Sequence, residues 1–214
     1  MTKDEAMLLL SSIMGNRSDL VTKGPTMLKM AQNHYERGPE YPWFLLSEDT
    51  TIRTQIGERR VPLPVADFIE EYEDGALFYD AEDGSPQSEL EKEDYDYLMK
   101  FYGSNCTGTP QAYSSDGLYF NIFPLPNALS LLRMKYYKKD VDITGLSGSA
   151  TNKWLTYAPN CLIGWAGQNL ASTYRDVVAA NRFMQIENEA RLVLDRQNES
   201  HKHSNRTYQI GGPA

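Results

Sequence analysis

The side chains able to do chemistry in this sequence are scattered rather than grouped. His201-Lys202-His203 sets two imidazoles two positions apart near the C-terminal end, with no third ligand at a spacing zinc would need. Asp80-Ala81-Glu82-Asp83-Gly84 is rich in oxygen ligands, but its glycine falls at the fifth position, where a calcium loop turns at its sixth. A solvated acidic loop is the stronger reading. His34, near Glu36 on a predicted helix, reads as a partly exposed histidine with local partners. Cys106 and Cys161 are far apart and fit two free thiols better than a disulfide or a metal pair. No nucleophile elbow, P-loop, dinucleotide fingerprint or H-E-x-x-H motif occurs. Carboxylates abound, yet nothing selects two of them for opposite acid and base roles. No catalytic, metal or cofactor site is assigned.

The elements that would carry a site are easier to read. Thr2 with Glu5 three positions on forms a capping box, so a first helix is predicted over 2–14, ended by Gly15. Ser18 and Asp19 open a second helical region, expected to break at Gly24-Pro25 and to resume along Met27, Leu28, Ala31 and Tyr35. Residues 43–46 are an apolar run and 47–55 an alternating, threonine-rich strand. Residues 61–64 are extended, 65–71 are predicted to make one or two helical turns, and 76–79 a short strand. An acidic loop over 80–88, a short helix over 90–102 and a loop over 103–109 follow.

Residues 111–139 read as a compact β-meander. Asp116-Gly117 is a two-residue hairpin signal. Leu118, Phe120 and Ile122 alternate with Tyr119, Asn121 and Phe123, and Pro124 and Pro126 close that strand. In the next strand Ser130, Leu132, Met134 and Tyr136 share one face. Leu131, Arg133, Lys135 and Tyr137 share the other, where the two cations meet water or acidic neighbours. After a loop over 140–151, helices are predicted over 160–174 and 176–198. The second has an apolar stripe (Val178, Phe183, Ile186, Ala190, Leu194) and a charged face that includes Arg182, Glu187, Arg191 and Arg196. From Glu199 the chain is polar and ends in Gly211-Gly212-Pro213, the composition of a flexible tail.

A chain of 214 residues has room for one domain, or one domain with an insertion. No run approaches the ~20 apolar residues of a membrane-spanning helix. Asp4 and Glu5 suit a helix N-terminus and oppose a secretory signal, so the N-x-S/T triplets at Asn105, Asn198 and Asn205 read as coincidence. The net charge of −8 argues against sequence-blind binding of nucleic acid. That charge is concentrated: residues 67–96 hold thirteen carboxylates against Lys92 alone. Fourteen tyrosines and three tryptophans exceed what a plain core requires, and such side chains are favoured at protein interfaces.

Several stretches taken together carry a resemblance. They are PEYPWFLL (39–46) after the N-terminal helices, RRVPLPVADFI (59–69), and GTPQAYSSDGLYFNIFPLPN (108–127) followed by LLRMKYYKK (131–139). The last is LTYAPNCLIGWAGQNLASTYRD (155–176), with the charged helix after it. The chain resembles the head-to-tail adaptor, or connector, proteins of tailed phages, mainly the short-tailed ones, that bind beneath the portal ring. It departs from that pattern at Asp140-Val141-Asp142, where a proline is expected.

The resemblance covers most of the chain and implies an α+β fold. A helical bundle (1–42 and 140–198) would hold an inserted antiparallel β-rich region (43–139) and a flexible C-terminal tail (199–214). It implies a non-enzymatic virion protein at the head-tail junction, assembled in the host cytoplasm into a ring, commonly of twelve copies. Its partners would be the portal protein, nozzle or tail-tube proteins, further copies of itself, and double-stranded DNA that passes without specific binding. No membrane and no cofactor are implied. The portal-binding tail would use Arg206, Tyr208 and Ile210, and Trp154, Trp165, Tyr174, Arg182 and Arg191 are expected at a subunit interface. The alternatives are another tail or head-completion protein and, from a different class, a small acidic hydrolase with a tyrosine-lined cleft.

Overall fold

The computed structural model describes residues 1–63, 67–72, 76–82 and 86–207, with side chains through residue 202. The chain opens with helices α1 (Lys3–Ile13) and α2 (Leu20–Tyr35) and a 3-10 turn at Trp43–Leu45. Strands β1 (Leu46–Arg53), β2 (Arg60–Pro62), β3 (Phe68–Glu71), β4 (Leu77–Asp80), β5 (Ser88–Glu89) and β6 (Glu91–Lys92) lead to helix α3 (Tyr95–Tyr102). Next come β7 (Thr107–Gly108), β8 (Ala112–Ser115), β9 (Tyr119–Phe123), β10 (Leu125–Pro126) and β11 (Leu131–Lys138). A 3-10 turn at Ile143–Gly145 and helices α4 (Lys153–Tyr157), α5 (Pro159–Thr173) and α6 (Val177–Thr207) complete an α+β fold. These elements form two compact units, a helical one from residues 1–45 and 139–214 and a β-rich one from residues 46–138.

In the helical unit the Thr2 capping box is present. Glu5 N donates to Thr2 Oγ1 at 3.2 Å and Thr2 N to Glu5 Oε2 at 2.8 Å. Contrary to expectation, α2 runs unbroken through Gly24-Pro25. Pro25 forfeits a single backbone bond in the second turn. Gly24 lies against Met7, whose Cε would be 2.3 Å from any added Cβ, so α1 and α2 meet closely there. Pro159 opens α5 at its first position, where a missing N–H costs nothing. Leu28, Ala31, Trp154, Leu162, Ile163, Leu170 and Phe183 fill the core of this unit.

α6 continues to Thr207, past the end expected at Asn198, so residues 199–207 are helical rather than an extended tail. Tertiary contacts extend it beyond what local composition suggests. Trp43 N donates to Asn198 Oδ1 at 2.9 Å, and the His201 ring stacks on Trp43 with centroids 4.0 Å apart.

In the β unit, β11 is the central strand of a five-stranded sheet. β1 pairs with it on one side, Leu46 opposite Tyr137 and Arg53 opposite Leu131. On the other side β4 pairs with its first half and β3 with its end. A second sheet has the order β2-β9-β8-β6, and β10 pairs with β7. The single meander expected over 111–139 is therefore divided: β8 and β9 form a hairpin in one sheet, and β11 belongs to the other. Pro124 and Pro126 supply no ladder donors, and the chain leaves the second sheet after β9.

The hairpin loop itself is Gly117-Leu118, one residue later than expected. Asp116 N donates to Tyr119 O at 3.2 Å, and Asp116 Oδ1 accepts from Leu118 N at 3.0 Å and Tyr119 N at 2.8 Å. Gly117 has the positive φ, 84°, that the first central position of such a turn requires. Two further expectations are corrected. Phe68–Glu71 is a strand, not helical turns, and the helix expected over 90–102 is confined to Tyr95–Tyr102, after short strands on either side of Leu90. Pairing with β11, β4 and β8 overrides local propensity in these stretches. Leu77, Leu132 and Met134 of one sheet and Val61, Tyr113, Phe120 and Ile122 of the other share one buried cluster.

Candidate functional site

Each unit presents exposed side chains that could make contacts. In the helical unit α5 and α6 meet at two glycines. A Cβ on Gly164 would lie 2.6–2.7 Å from Glu187 Cβ, Cα and N, and one on Gly167 would lie 2.3–2.4 Å from the Phe183 ring. This seam buries one face of α6 and leaves the opposite face to solvent. Val178 is 82% exposed there, and Val177, Leu192 and Val193 are exposed with it.

Of the residues expected at a subunit interface, Arg182 and Arg191 are exposed on α6, with Arg191 Nη1 4.0 Å from Glu187 Oε1. Trp165 is half-buried and stacks on His34 with centroids 5.1 Å apart. Tyr174 is clamped within its own unit. Its Oη donates to Asp19 Oδ2, Lys23 Nζ lies 3.2 Å from it, and the Arg17 guanidinium covers the ring at 4.0 Å. The Tyr174 bond, followed by that of Lys23, holds the Asp19 carboxyl below the usual range. Trp154 is corrected: it is 0% exposed and serves the core of the protomer.

Around Trp154 lies a buried polar cluster that the sequence reading missed. Glu36, 4% exposed, accepts through Oε1 from Trp154 Nε1 at 2.9 Å, Gln32 Nε2 at 2.9 Å and Asp140 N at 3.2 Å. Gln32 Nε2 also reaches the carbonyls of Asp140 and Val141 at 3.3 Å, and its Oε1 accepts from Ile143 N at 3.2 Å. Asn152 Nδ2 donates to Val141 O at 2.8 Å, and Trp154 N to Asp140 Oδ2 at 3.1 Å. Burial pushes the Glu36 carboxyl above its usual range, against the bonds from Gln32, Trp154 and Asp140 that lower it. The cluster accounts for the residues standing where a proline was expected. Asp140 N donates to Glu36 and Val141 N to Asp140 Oδ1 at 2.8 Å, and proline has no N–H. Asp142 pairs with Lys29 and accepts from Thr144 N at 2.8 Å. Burial raises its carboxyl, but Lys29 and Thr144 outweigh that and bring it to about 2. The available signal was Gln32-x-x-x-Glu36, two polar groups one turn apart beside Leu28 and Ala31 on α2.

The β unit differs in charge. Residues 46–138 carry seventeen carboxylates against eight Lys and Arg, a net of −9. Residues 1–45 with 139–214 carry twelve against thirteen, a net of +1. Arg133 meets an acidic neighbour as expected, with Nη2 3.0 Å from Asp80 Oδ2, whereas Lys135 lies over the Phe78 ring at 5.0 Å. Arg53 pairs with Glu82, Lys92 with Glu71 at 3.0 Å, and Lys138 with Asp67 at 3.8 Å. The Glu82 N–H and then Arg133 hold the Asp80 carboxyl low, and Arg53 does the same for Glu82. The calcium-like stretch is thus engaged by arginines as far as Glu82, while Asp83 and Gly84 lie outside the described residues. Among the described residues no three His, Cys, Asp or Glu side chains gather to hold a metal. α3 instead presents aromatics. Tyr97 (55% exposed) and Phe101 (70% exposed) stack with centroids 6.4 Å apart, while Tyr95, also exposed, makes an edge contact with Phe123. Exposed aromatic clusters of this kind mark contact surfaces.

Tyr208 and Ile210, expected to grip a partner, lie outside the described residues, and Arg206 lies on α6 with its side chain outside them. No described helix is long and apolar enough to cross a membrane. A comparison with curated proteins gives no match. The family model described as SU10 adaptor protein matches residues 2–208, which takes in both units and all of α6. With nearly the whole chain inside that match and its fold α+β, the chain belongs to the SU10 adaptor family, a structural phage adaptor and component of the virion.

Proposed function

We propose that this chain forms a ring, of twelve copies, that joins the portal to the tail and extends the channel through which the genome passes. The observation that carries the reading is the adaptor-family match along residues 2–208. The structure supports it with two kinds of exposed contact surface, the aromatic face of α3 and the mixed face of α6. The ring acts through protein–protein contacts and performs no catalysis. It is assembled on the portal in the host cytoplasm and offers a platform to nozzle or tail-tube proteins of a short-tailed phage. A net charge of −8 disfavours retention of phosphate, so duplex DNA passes without specific binding. Residues 199–214, with Arg206, Tyr208 and Ile210, make the portal grip. α6 supplies reach, since 31 helical residues span about 46 Å.

Mixing the purified chain with its portal and measuring mass tests this reading. The expected product is a ring-shaped complex of fixed stoichiometry, and absence of association at every salt concentration would overturn it. Deleting residues 208–214 leaves the described body intact and is expected to abolish portal binding. Normal assembly of that variant, and of a second lacking 199–214, would remove the tail from the account.

A further inference from the structure

A closed ring uses a heterologous contact, in which each copy offers two different patches and each patch meets the other kind on its neighbour. Two such patches are visible. On α3, Tyr97 and Phe101 expose their rings; Asp96 in its first turn and Glu93 just before it are exposed, and neither carboxylate makes an ion pair among the described residues. Lys100 is the one base within the helix. On α6, Arg182 and Arg196 are exposed and likewise make no ion pair among the described residues. Val178 and Val193 are exposed along the same helical stripe, where Glu189 is the one acid between the two arginines.

Resting on the ring reading above, we propose that the ring is closed by seating the α3 face of one copy on the α6 face of the next. The charges select this occupant. Two β units facing one another would oppose −9 to −9, whereas a β unit facing a helical unit opposes −9 to +1. Guanidinium groups stack on aromatic faces and pair with carboxylates, so Arg182 and Arg196 match the exposed rings of Tyr97 and Phe101 and the two carboxylates of the same segment, Glu93 and Asp96. The exposed valines of α6 then cover the aromatic rings, which gives the contact an apolar centre and a charged rim.

Sedimentation velocity on the full chain, alone and with its portal, tests the assignment. Two exposed-surface variants are compared with the wild type: Glu93→Arg with Asp96→Arg, and Arg182→Glu with Arg196→Glu. Circular dichroism checks that both stay folded. The wild type is expected to associate, less tightly as salt rises, and each variant to weaken association by about tenfold or more. An equal mixture of the two variants is expected to recover association, because the reversed patches match each other. Variants that assemble as well as the wild type would overturn the α3–α6 contact while leaving the ring reading in place. That result would assign α3 to a tail or portal partner. A wild-type chain that stays monomeric with and without portal would overturn the ring reading and this contact together.

Discussion

Cys161 in the helical unit is buried, and burial, with the Glu187 carboxylate beside it, pushes its thiol up to about 12, whereas Cys106 in the β unit is exposed. The contrast extends to what holds each unit together. The helical unit closes on tight contacts, Gly164 against the Glu187 backbone and Gly167 against Phe183, around the buried polar cluster at Glu36, with the Lys29–Asp142 and Lys23–Asp19 pairs nearer its surface. The β unit carries the chain's excess negative charge and tempers it with cations on its strands, Arg53 of β1, Lys92 of β6, and Arg133 and Lys138 of β11. Packing of the first kind is insensitive to salt and severe when disturbed. Ion pairs of the second kind are individually weak and respond to ionic strength and acid.

The largest expected effect follows from the close seam. Gly164→Ala places a Cβ 2.7 Å from the backbone of Glu187, so α6 must shift. The expected loss is about 3 kcal/mol in urea unfolding, with hydrogen exchange quickened in α5 and α6 and unchanged in β11. Faster exchange spread evenly over both units would break the distinction between them.

Next comes the polar cluster. Glu36→Ala leaves Trp154 Nε1 and Asp140 N without their acceptor and is expected to cost about 2 kcal/mol. Glu36→Gln keeps an acceptor and removes the charge. Because burial raises the folded carboxyl above 4.5, ionised Glu36 weakens the fold as pH rises through that raised value, and the penalty is absent below 4.5. Glu36→Gln is therefore expected to be at least as stable as the parent at pH 7.5, with that advantage lost at pH 4. A pH-independent difference would show that ionisation of Glu36 plays no part.

The smallest effect belongs to the β unit. Arg133→Ala removes the partner of Asp80 and is expected to lower stability slightly at low salt and less in ~1 M salt. The Asp80 and Glu82 carboxyls are held below 3.8 and 4.5, so their contribution is present above those values and fades as pH falls through the folded ones. Acid thus removes ion-pair support from both units, Asp80 and Glu82 in the β unit and Asp19 and Asp142 in the helical one, where protonation of Glu36 offsets part of the loss. Amides of β11 should exchange faster as pH falls below 4, and exchange that stays unchanged there would show that these pairs contribute nothing.

Local features of this fold were legible in the residues. The Thr2–Glu5 capping box and the buried face of Ser130, Leu132, Met134 and Tyr136 each follow from spacing within a few positions. The expected stripe of α6 holds at Phe183 and Leu194 but not at Val178, which is exposed, and Glu187, expected on the charged face, is buried against α5. What spacing does not carry is the partner of a strand. Nothing near β11 indicates that β1, more than eighty residues earlier, pairs along it, or that β9, a few residues earlier, does not. Phe68–Glu71 reads equally as a turn of helix until β11 supplies its ladder. The candidate surfaces were partly legible. Surplus tyrosine pointed to contacts, but Trp154 was expected at a subunit interface because only the fold shows Glu36 accepting its N–H in the core.

An image of the assembled particle with the chain located in it decides whether this protein joins portal and tail. A ring of this protein between the two is expected, with the C-terminal ends of α6 directed to the portal. Particles in which the chain lies elsewhere, or in which portal and tail meet without it, would contradict that role.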